Sequence, residues 1–198
     1  MRQLRFLSGK PLKINPMVLT SLLQPDLVLG ESILSLSPEL LCRFNVKGLI
    51  LDVDDTLVPF CQAETDPALI TWMNEMKQLG AVWLVSNNIN AYRIKRIANL
   101  LDVPYITSAA KPSRRKLQQA LEAIDLPANQ VAMVGDRLFT DILAGNRLGL
   151  FTILVEPMPA QDQPYPNKHS FLRHMETSIS QYLGVTLSCS IQSSQSGH

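Results

Sequence analysis

The segment Gly48-Leu-Ile-Leu-Asp52-Val-Asp54-Asp55-Thr56-Leu57 runs an apolar stretch directly into three carboxylates. Like charges packed at a strand's end raise one another's proton affinity and repel, so the arrangement is costly unless a cation offsets it. Taken alone, D-x-D-x-T is equally compatible with an acidic surface turn. Three further segments alter that balance. Val82-Trp83-Leu84-Val85-Ser86-Asn87-Asn88 puts a hydroxyl and two amides after a second apolar run. Ala110-Lys111-Pro112 sets a lysine before a proline that reads as the opening of a helix, and Val134-Gly135-Asp136 is followed by Asp141 five positions on. Singly, these are a helix cap, a solvated loop lysine and surface charge. Coincidence at four places is a poorer explanation than one site.

The elements that must hold these residues are legible in the apolar periodicity. Short apolar runs at Gly48–Val53, Ala81–Val85, Val103–Ile106, Val131–Val134 and Phe151–Val155 read as buried parallel strands. Between them Leu69, Trp72, Met73 and Met76 follow helical spacing, with Gly80 placed to end the helix. Ile94, Ile97, Ala98 and Leu101 repeat that spacing, as do Leu117, Ala120, Leu121 and Ile124. The expected fold is α/β, a single doubly wound and mainly parallel sheet with helices on both faces. Such sheets bind ligands beyond the carboxyl ends of their strands, which is where all four segments fall.

In order and spacing, D-x-D-x-T, the strand-end Ser86, Lys111-Pro112 and G-D-x-x-x-x-D resemble the four motifs of haloacid dehalogenase (HAD) phosphatases, across residues 48–155. The resemblance implies a HAD-like Rossmannoid core, with Asp52 as nucleophile and Asp54 as general acid and base. Ser86, Asn87 and Lys111 would hold the transferred phosphoryl group. It further implies Mg²⁺ on the Asp52 carboxylate, the Asp54 main-chain carbonyl and Asp136, with Asp141 and Thr56 supporting the metal site from behind. That chemistry is physically coherent. A carboxylate approaching a phosphate monoester meets about 4 kcal/mol of repulsion between unit charges 4 Å apart near a protein surface. Mg²⁺ and Lys111 would reverse it. Capture as an aspartyl phosphate divides one slow displacement into two.

Many HAD enzymes insert a cap domain after the first motif or between the second and third. Thirty-four positions separate Asp52 from Ser86 and twenty-five separate Ser86 from Lys111, which leaves room for no large cap. An open site favours a large or surface-presented phosphate. Two segments also resemble the YqeG-like branch of HAD subfamily III, whose relatives include phosphatidylglycerophosphate phosphatases. They are Leu23-Gln-Pro25-Asp26…Ser32-Ile33…Val46-Lys47-Gly48 and the run from Gly135 to Gly149. Asp55 stands where that branch usually carries Asn. The implied activity is phosphomonoester hydrolysis in phospholipid synthesis, with contact to a membrane surface.

The chain has 198 residues, 46% of them apolar, enough for one sizeable core. The expected divisions are an N-terminal extension over 1–47, the catalytic core over 48–156, a loop and helix over 157–185 and a disordered tail over 186–198. A net charge of +1 argues against nucleic acid. Cys42, Cys61 and Cys189 lack metal or disulfide spacing, which fits a reducing cytoplasm. The first residues do not read as a secretory signal, and no apolar run reaches the roughly 20 residues of a membrane span. The expected location is cytoplasmic, with peripheral contact to the inner membrane face. Arg93, Lys95 and Arg96, and likewise Arg114, Arg115 and Lys116, read first as solvated helix faces and second as attraction to anionic head groups. A soluble phosphatase of a small metabolite or phosphoprotein is the alternative. A phospho-receiver is more remote, because no aspartate ends the expected strand before Ser86.

Overall fold

The computed structural model describes residues 16–60, 66–159, 178 and 184–187. The apolar run Gly48–Leu51 forms a strand buried along its length. Side chains alternate between a strand's two faces, so an uninterrupted apolar run must be covered on both. Leu49 and Leu51 accordingly pack into one apolar cluster and Ile50 into another. The same division recurs at Ala132 and Val134 against Val131 and Met133.

Six strands make one parallel sheet: β1 (Leu27–Ser32), β2 (Gly48–Leu51), β3 (Val82–Val85), β4 (Tyr105–Ile106), β5 (Val131–Gly135) and β6 (Phe151–Glu156). Their spatial order is β1-β6-β5-β2-β3-β4. From β2 the chain winds outward through β3 and β4, then returns to place β5 on the other side of β2. The reversal makes the β2–β5 boundary the topological switch point, where such sheets open a crevice at their carboxyl ends.

Helices α1 (Pro16–Leu23), α2 (Pro38–Arg43), α3 (Pro67–Leu79), α4 (Ala91–Leu101), α5 (Arg115–Ile124) and α6 (Leu143–Asn146) connect or flank these strands. The buried positions of α3 and α4 are those that helical spacing marks: Leu69, Trp72, Met73 and Met76, then Ile94, Ile97, Ala98 and Leu101. They share one cluster, while Leu117, Ala120 and Ile124 of α5 lie in the other, so helices cover both faces. Gly80 caps α3 because a Cβ there would lie 1.9 Å from the Lys47 carbonyl oxygen.

Departures from the sequence reading have local causes. β4 is two residues long, because Val103 spends its N–H on the Ala98 carbonyl at the end of α4 and Pro104 has none to give. Pro112 does not open α5; a turn follows the cis Lys111–Pro112 bond and the helix begins at Arg115. The segment before Gly48, read as an extension, contributes β1, which pairs with β6. It is also tied to the core by the Trp72 Nε1–H donated to the Leu36 carbonyl at 2.7 Å.

Leu23 of α1 is fully buried with Leu138, Ile142, Leu154 and Val185. Thr186, the first residue of the expected tail, exchanges two hydrogen bonds with the Gln24 side chain, at 2.8 and 2.9 Å. The helix expected around 170–183 lies outside the described residues apart from Ser178, as do Cys61 and Cys189. No described helix is long and apolar enough to cross a membrane.

Candidate active site

Asp52 is the first residue beyond β2, and its N–H continues the ladder to the Val134 carbonyl at 2.9 Å. The backbone bond fixes its carboxylate at the switch point. Beyond it the chain turns sharply: Asp55 adopts a left-handed conformation with φ of 63°, and the Asp55 N–H donates to the Val58 carbonyl at 2.9 Å. The Asp55 Oδ1 accepts the Phe60 N–H at 2.9 Å. Asp and Asn both tolerate this backbone and both offer that oxygen, so the turn forms with either residue at position 55.

Lys111 joins the site from the turn ahead of α5. The Lys111 Nζ lies 2.5 Å from Asp52 Oδ1 and 2.7 Å from Asp141 Oδ1, and donates to the Val85 carbonyl at 2.8 Å. Asn87 locks the lysine's backbone. The Lys111 N–H donates to Asn87 Oδ1 at 2.7 Å, and the Asn87 Nδ2 donates to the Lys111 carbonyl at 3.1 Å.

Asp136 follows β5, and its Oδ1 accepts the Thr56 hydroxyl at 3.2 Å. Asp141 comes back to the same place on a π-helical turn, Leu138–Ile142. Gly135 permits the approach, since a Cβ there would meet the Asp141 Cβ, Cγ and Oδ2 at 2.5 Å. Asp52, Asp136 and Asp141 are all buried, and each can bring an oxygen within 4.8 Å of the others.

Three buried carboxylates face one buried cation among the described residues. Burial pushes the Asp52 carboxyl up to about 7, the Asp141 and Asp54 charges add to that, and Lys111 opposes it. For Lys111, burial lowers the affinity for its proton, but the charges of Asp141 and then Asp52 outweigh burial and raise it. The excess negative charge and the all-oxygen donor set fit a hard divalent cation such as Mg²⁺.

Asp54 is arranged differently, for its carboxylate is not part of that cluster. The Ser86 hydroxyl donates to Asp54 Oδ2 at 3.1 Å, and the Asn88 Nδ2 donates to Oδ1 at 3.4 Å. Ser86 itself accepts the Asn88 N–H at 2.9 Å, which closes the turn after β3. A cavity of about 270 Å³ opens above these groups, lined in part by Asp52, Asp54, Phe60, Asn87, Asn88, Lys111 and Asp141.

A family model described as HAD-hydrolase-like matches residues 108–157. The chain is 41% identical over 133 residues to the probable phosphatase YqeG of Bacillus subtilis (strain 168), an alignment covering 67% of this chain and 77% of that protein. The chain belongs to the YqeG-like phosphatases of the HAD superfamily. This YqeG-like chain is also 31% identical over 128 residues to phosphatidylglycerophosphate phosphatase 1, chloroplastic, of Chlamydomonas reinhardtii. That alignment covers 60% of this chain and 48% of the algal protein, so the chain spans about half that relative's length. Among solved structures, an uncharacterized protein from Listeria monocytogenes serotype 4b aligns at a TM-score of 0.48 and 18% identity, over 70% of this chain and 99% of that one.

The YqeG-like site also holds a residue that sequence reading placed elsewhere. Arg93, assigned to a solvated helix face or to lipid head groups, turns inward to pair with Asp54. Its position in α4 is the signal that was available: it follows the capping Asn90 by three residues, close to the strand-end Ser86.

Proposed function

We propose that this YqeG-like phosphatase hydrolyses phosphomonoesters through an aspartyl phosphate on Asp52, with Mg²⁺ as cofactor. The observation that carries the reading is the cluster of buried carboxylates Asp52, Asp136 and Asp141 at the sheet's switch point, two of which, Asp52 and Asp141, pair with Lys111. Asp52, Asp136 and the Asp54 main-chain carbonyl would hold the cation, with Asp141 near enough to add an oxygen. When bound, it supplies charge neutralisation for the phosphoryl oxygens and the attacking carboxylate.

The protein's own groups do the rest. Lys111, bonded to Asp52 Oδ1, fixes the nucleophile's orientation and offers positive charge to the phosphoryl group. The carboxylate forms the new bond to phosphorus as the bond to the leaving oxygen breaks and its electron pair departs with that oxygen. Asp54 supplies the proton that the leaving oxygen needs, then removes one from the water that hydrolyses the acyl phosphate. Asn87 lines the cavity that would take the phosphoryl oxygens, while Ser86, buried and outside that lining, acts through its hydrogen bond to Asp54.

The proposed substrate is a lipid-borne phosphomonoester, phosphatidylglycerophosphate in the first instance. A cavity of about 270 Å³ takes a phosphate and the first atoms of its alcohol, and leaves a larger substrate's remainder outside. No described residue forms an inserted cap over it. Its mouth carries exposed apolar groups, Phe60 and Ile89, with the exposed Tyr92 on the following turn. Helix α4 has three basic residues and no acidic one, and Lys95 and Arg96 are exposed beside Tyr92. Apolar and cationic side chains together suit an anionic lipid surface.

The deciding assay compares phosphatidylglycerophosphate in anionic vesicles with glycerol 3-phosphate and a panel of soluble phosphomonoesters, each with Mg²⁺ and with EDTA. The expected result is magnesium-dependent turnover with the highest kcat/KM on the vesicles. Efficient hydrolysis of a soluble metabolite with the lipid ignored would replace the substrate, and full activity in EDTA would overturn the metal.

A further inference from the structure

We infer that Arg93 is the positioning residue that aligns Asp54 for proton transfer to the leaving group, an inference that rests on Asp54 acting as acid and base. Arg93 is held at the start of α4, where its N–H donates to Asn90 Oδ1 at 3.1 Å. From there its side chain, 13% exposed, enters the gap between α4 and the turn after Asp52. One terminal nitrogen pairs with Asp54 Oδ1. The other donates to the Pro59 carbonyl at 3.1 Å, and the guanidinium stands 5.9 Å from the centre of the Phe60 ring. A planar guanidinium can hold two acceptors in one fixed geometry, which a lysine ammonium does less well.

Asp54, Phe60 and Asn88 line the cavity, whereas Arg93 does not. The arginine therefore acts through the groups it holds. With Ser86 on Oδ2 and Asn88 and Arg93 on Oδ1, the plane of the Asp54 carboxyl is set from both ends. Among these three, Arg93 alone also ties Asp54 to the turn that carries it, at Pro59.

The chemistry gives this role a signature that stability alone would not. As the phosphorus–oxygen bond breaks, an aliphatic alcohol's oxygen must receive a proton, and Asp54 provides it. Nitrophenolate is stable as an anion and departs without one. A misaligned Asp54 should consequently slow phosphoryl transfer from alkyl esters far more than from aryl esters, whereas the later hydrolysis of the acyl phosphate is common to both.

The experiment measures kcat and KM of the wild type, Arg93→Met, Arg93→Lys and Asp54→Asn on glycerol 3-phosphate and p-nitrophenyl phosphate, with folding followed by circular dichroism. Arg93→Met should lower the alkyl-to-aryl ratio of kcat/KM, which reports departure of the leaving group and not the acyl-phosphate hydrolysis common to both esters, by about tenfold or more, a fraction of the 10²–10⁴ that a general acid contributes. Arg93→Lys should give an intermediate ratio. Equal losses of kcat/KM on both esters would overturn the inference while leaving the role of Asp54 standing. Alkyl hydrolysis that survives in Asp54→Asn would instead remove the acid–base reading on which it rests. If Arg93→Met fails to fold, Arg93→Lys decides, and an unchanged ratio there overturns the proposal.

Discussion

Asn87 and the backbone of Lys111 form a closed pair of hydrogen bonds, at 2.7 Å from the lysine N–H and at 3.1 Å to its carbonyl. Asn87 lies in the loop after β3 and Lys111 in the loop after β4, so the pair fixes two of the four segments that build the site. The lysine's long side chain can reach Asp52 and Asp141 together only while its backbone stays in place.

Asn87→Ala should therefore lower kcat by about 10–100-fold with a smaller change in KM, in keeping with the cost of misplacing a catalytic group by an ångström. The stability loss should be about 1–3 kcal/mol, the ordinary net value of the two hydrogen bonds removed. Steady-state kinetics and urea titration of the same preparation measure both.

Gly135→Ala should act on Asp141. The added Cβ would fall 2.5 Å from that carboxylate's own atoms, so the π-helical turn must shift. Overpacking of this kind costs about 1–3 kcal/mol. Magnesium titration of the folded variant should show weaker binding than the wild type, whereas unchanged affinity would detach Asp141 from the cation site.

Asp52 also gives a dependence of stability on pH. In chelator-treated protein its carboxyl lies at about 7 when folded against an ordinary value of 3.8, with burial the main cause. The folded state thus binds the extra proton between those values, and stability should fall as pH rises from about 4 to about 7. Lys111, raised above its ordinary 10.5, adds stability that is complete below that value and lost only as pH rises through its folded pKa, outside this window. Asp52→Asn should flatten the slope and match or exceed the wild type in melting temperature at about pH 8. Added Mg²⁺ should stabilise the wild type more at that pH than at about pH 5.5, because its ligands must be deprotonated.

Leu23→Ala should destabilise the protein by about 2–5 kcal/mol, as truncation of a fully buried leucine generally does. Its neighbours Leu138 and Ile142 belong to the turn that carries Asp141, so activity should become heat-labile as well. A neutral result in denaturant titration would show that α1 is not part of the stable fold.

The acidic site and the central sheet were legible because each left a local mark. An apolar run ending in charge announced Asp52, and helical spacing named the buried faces of α3 and α4 residue by residue and that of α5 except for Leu121, which is only partly buried. Other features were settled only in three dimensions. β1 presents just three buried residues before Gly30 and polar positions, too little period to distinguish a strand from a loop. Arg93 sits on a polar helix start like its neighbours Lys95 and Arg96, and only the approach of the 54–60 turn separates it from them. Asp141 was placed at the site by the G-D-x-x-x-x-D pattern, but the π-helical turn that carries it there left no mark in the sequence.

The central claim is that Asp52 itself carries the phosphoryl group during turnover, and trapping that species is its most direct test. Enzyme turning over p-nitrophenyl phosphate with Mg²⁺ would be quenched in acid, reduced with borohydride and digested, and the peptide containing residues 48–57 analysed by mass spectrometry. An acyl phosphate is reduced to the alcohol, so homoserine should appear at position 52 only, and only in samples given substrate. Active enzyme that leaves Asp52 unmodified while another residue is reduced, or that shows no reduction anywhere under conditions that trap a control acyl phosphate, would contradict the account.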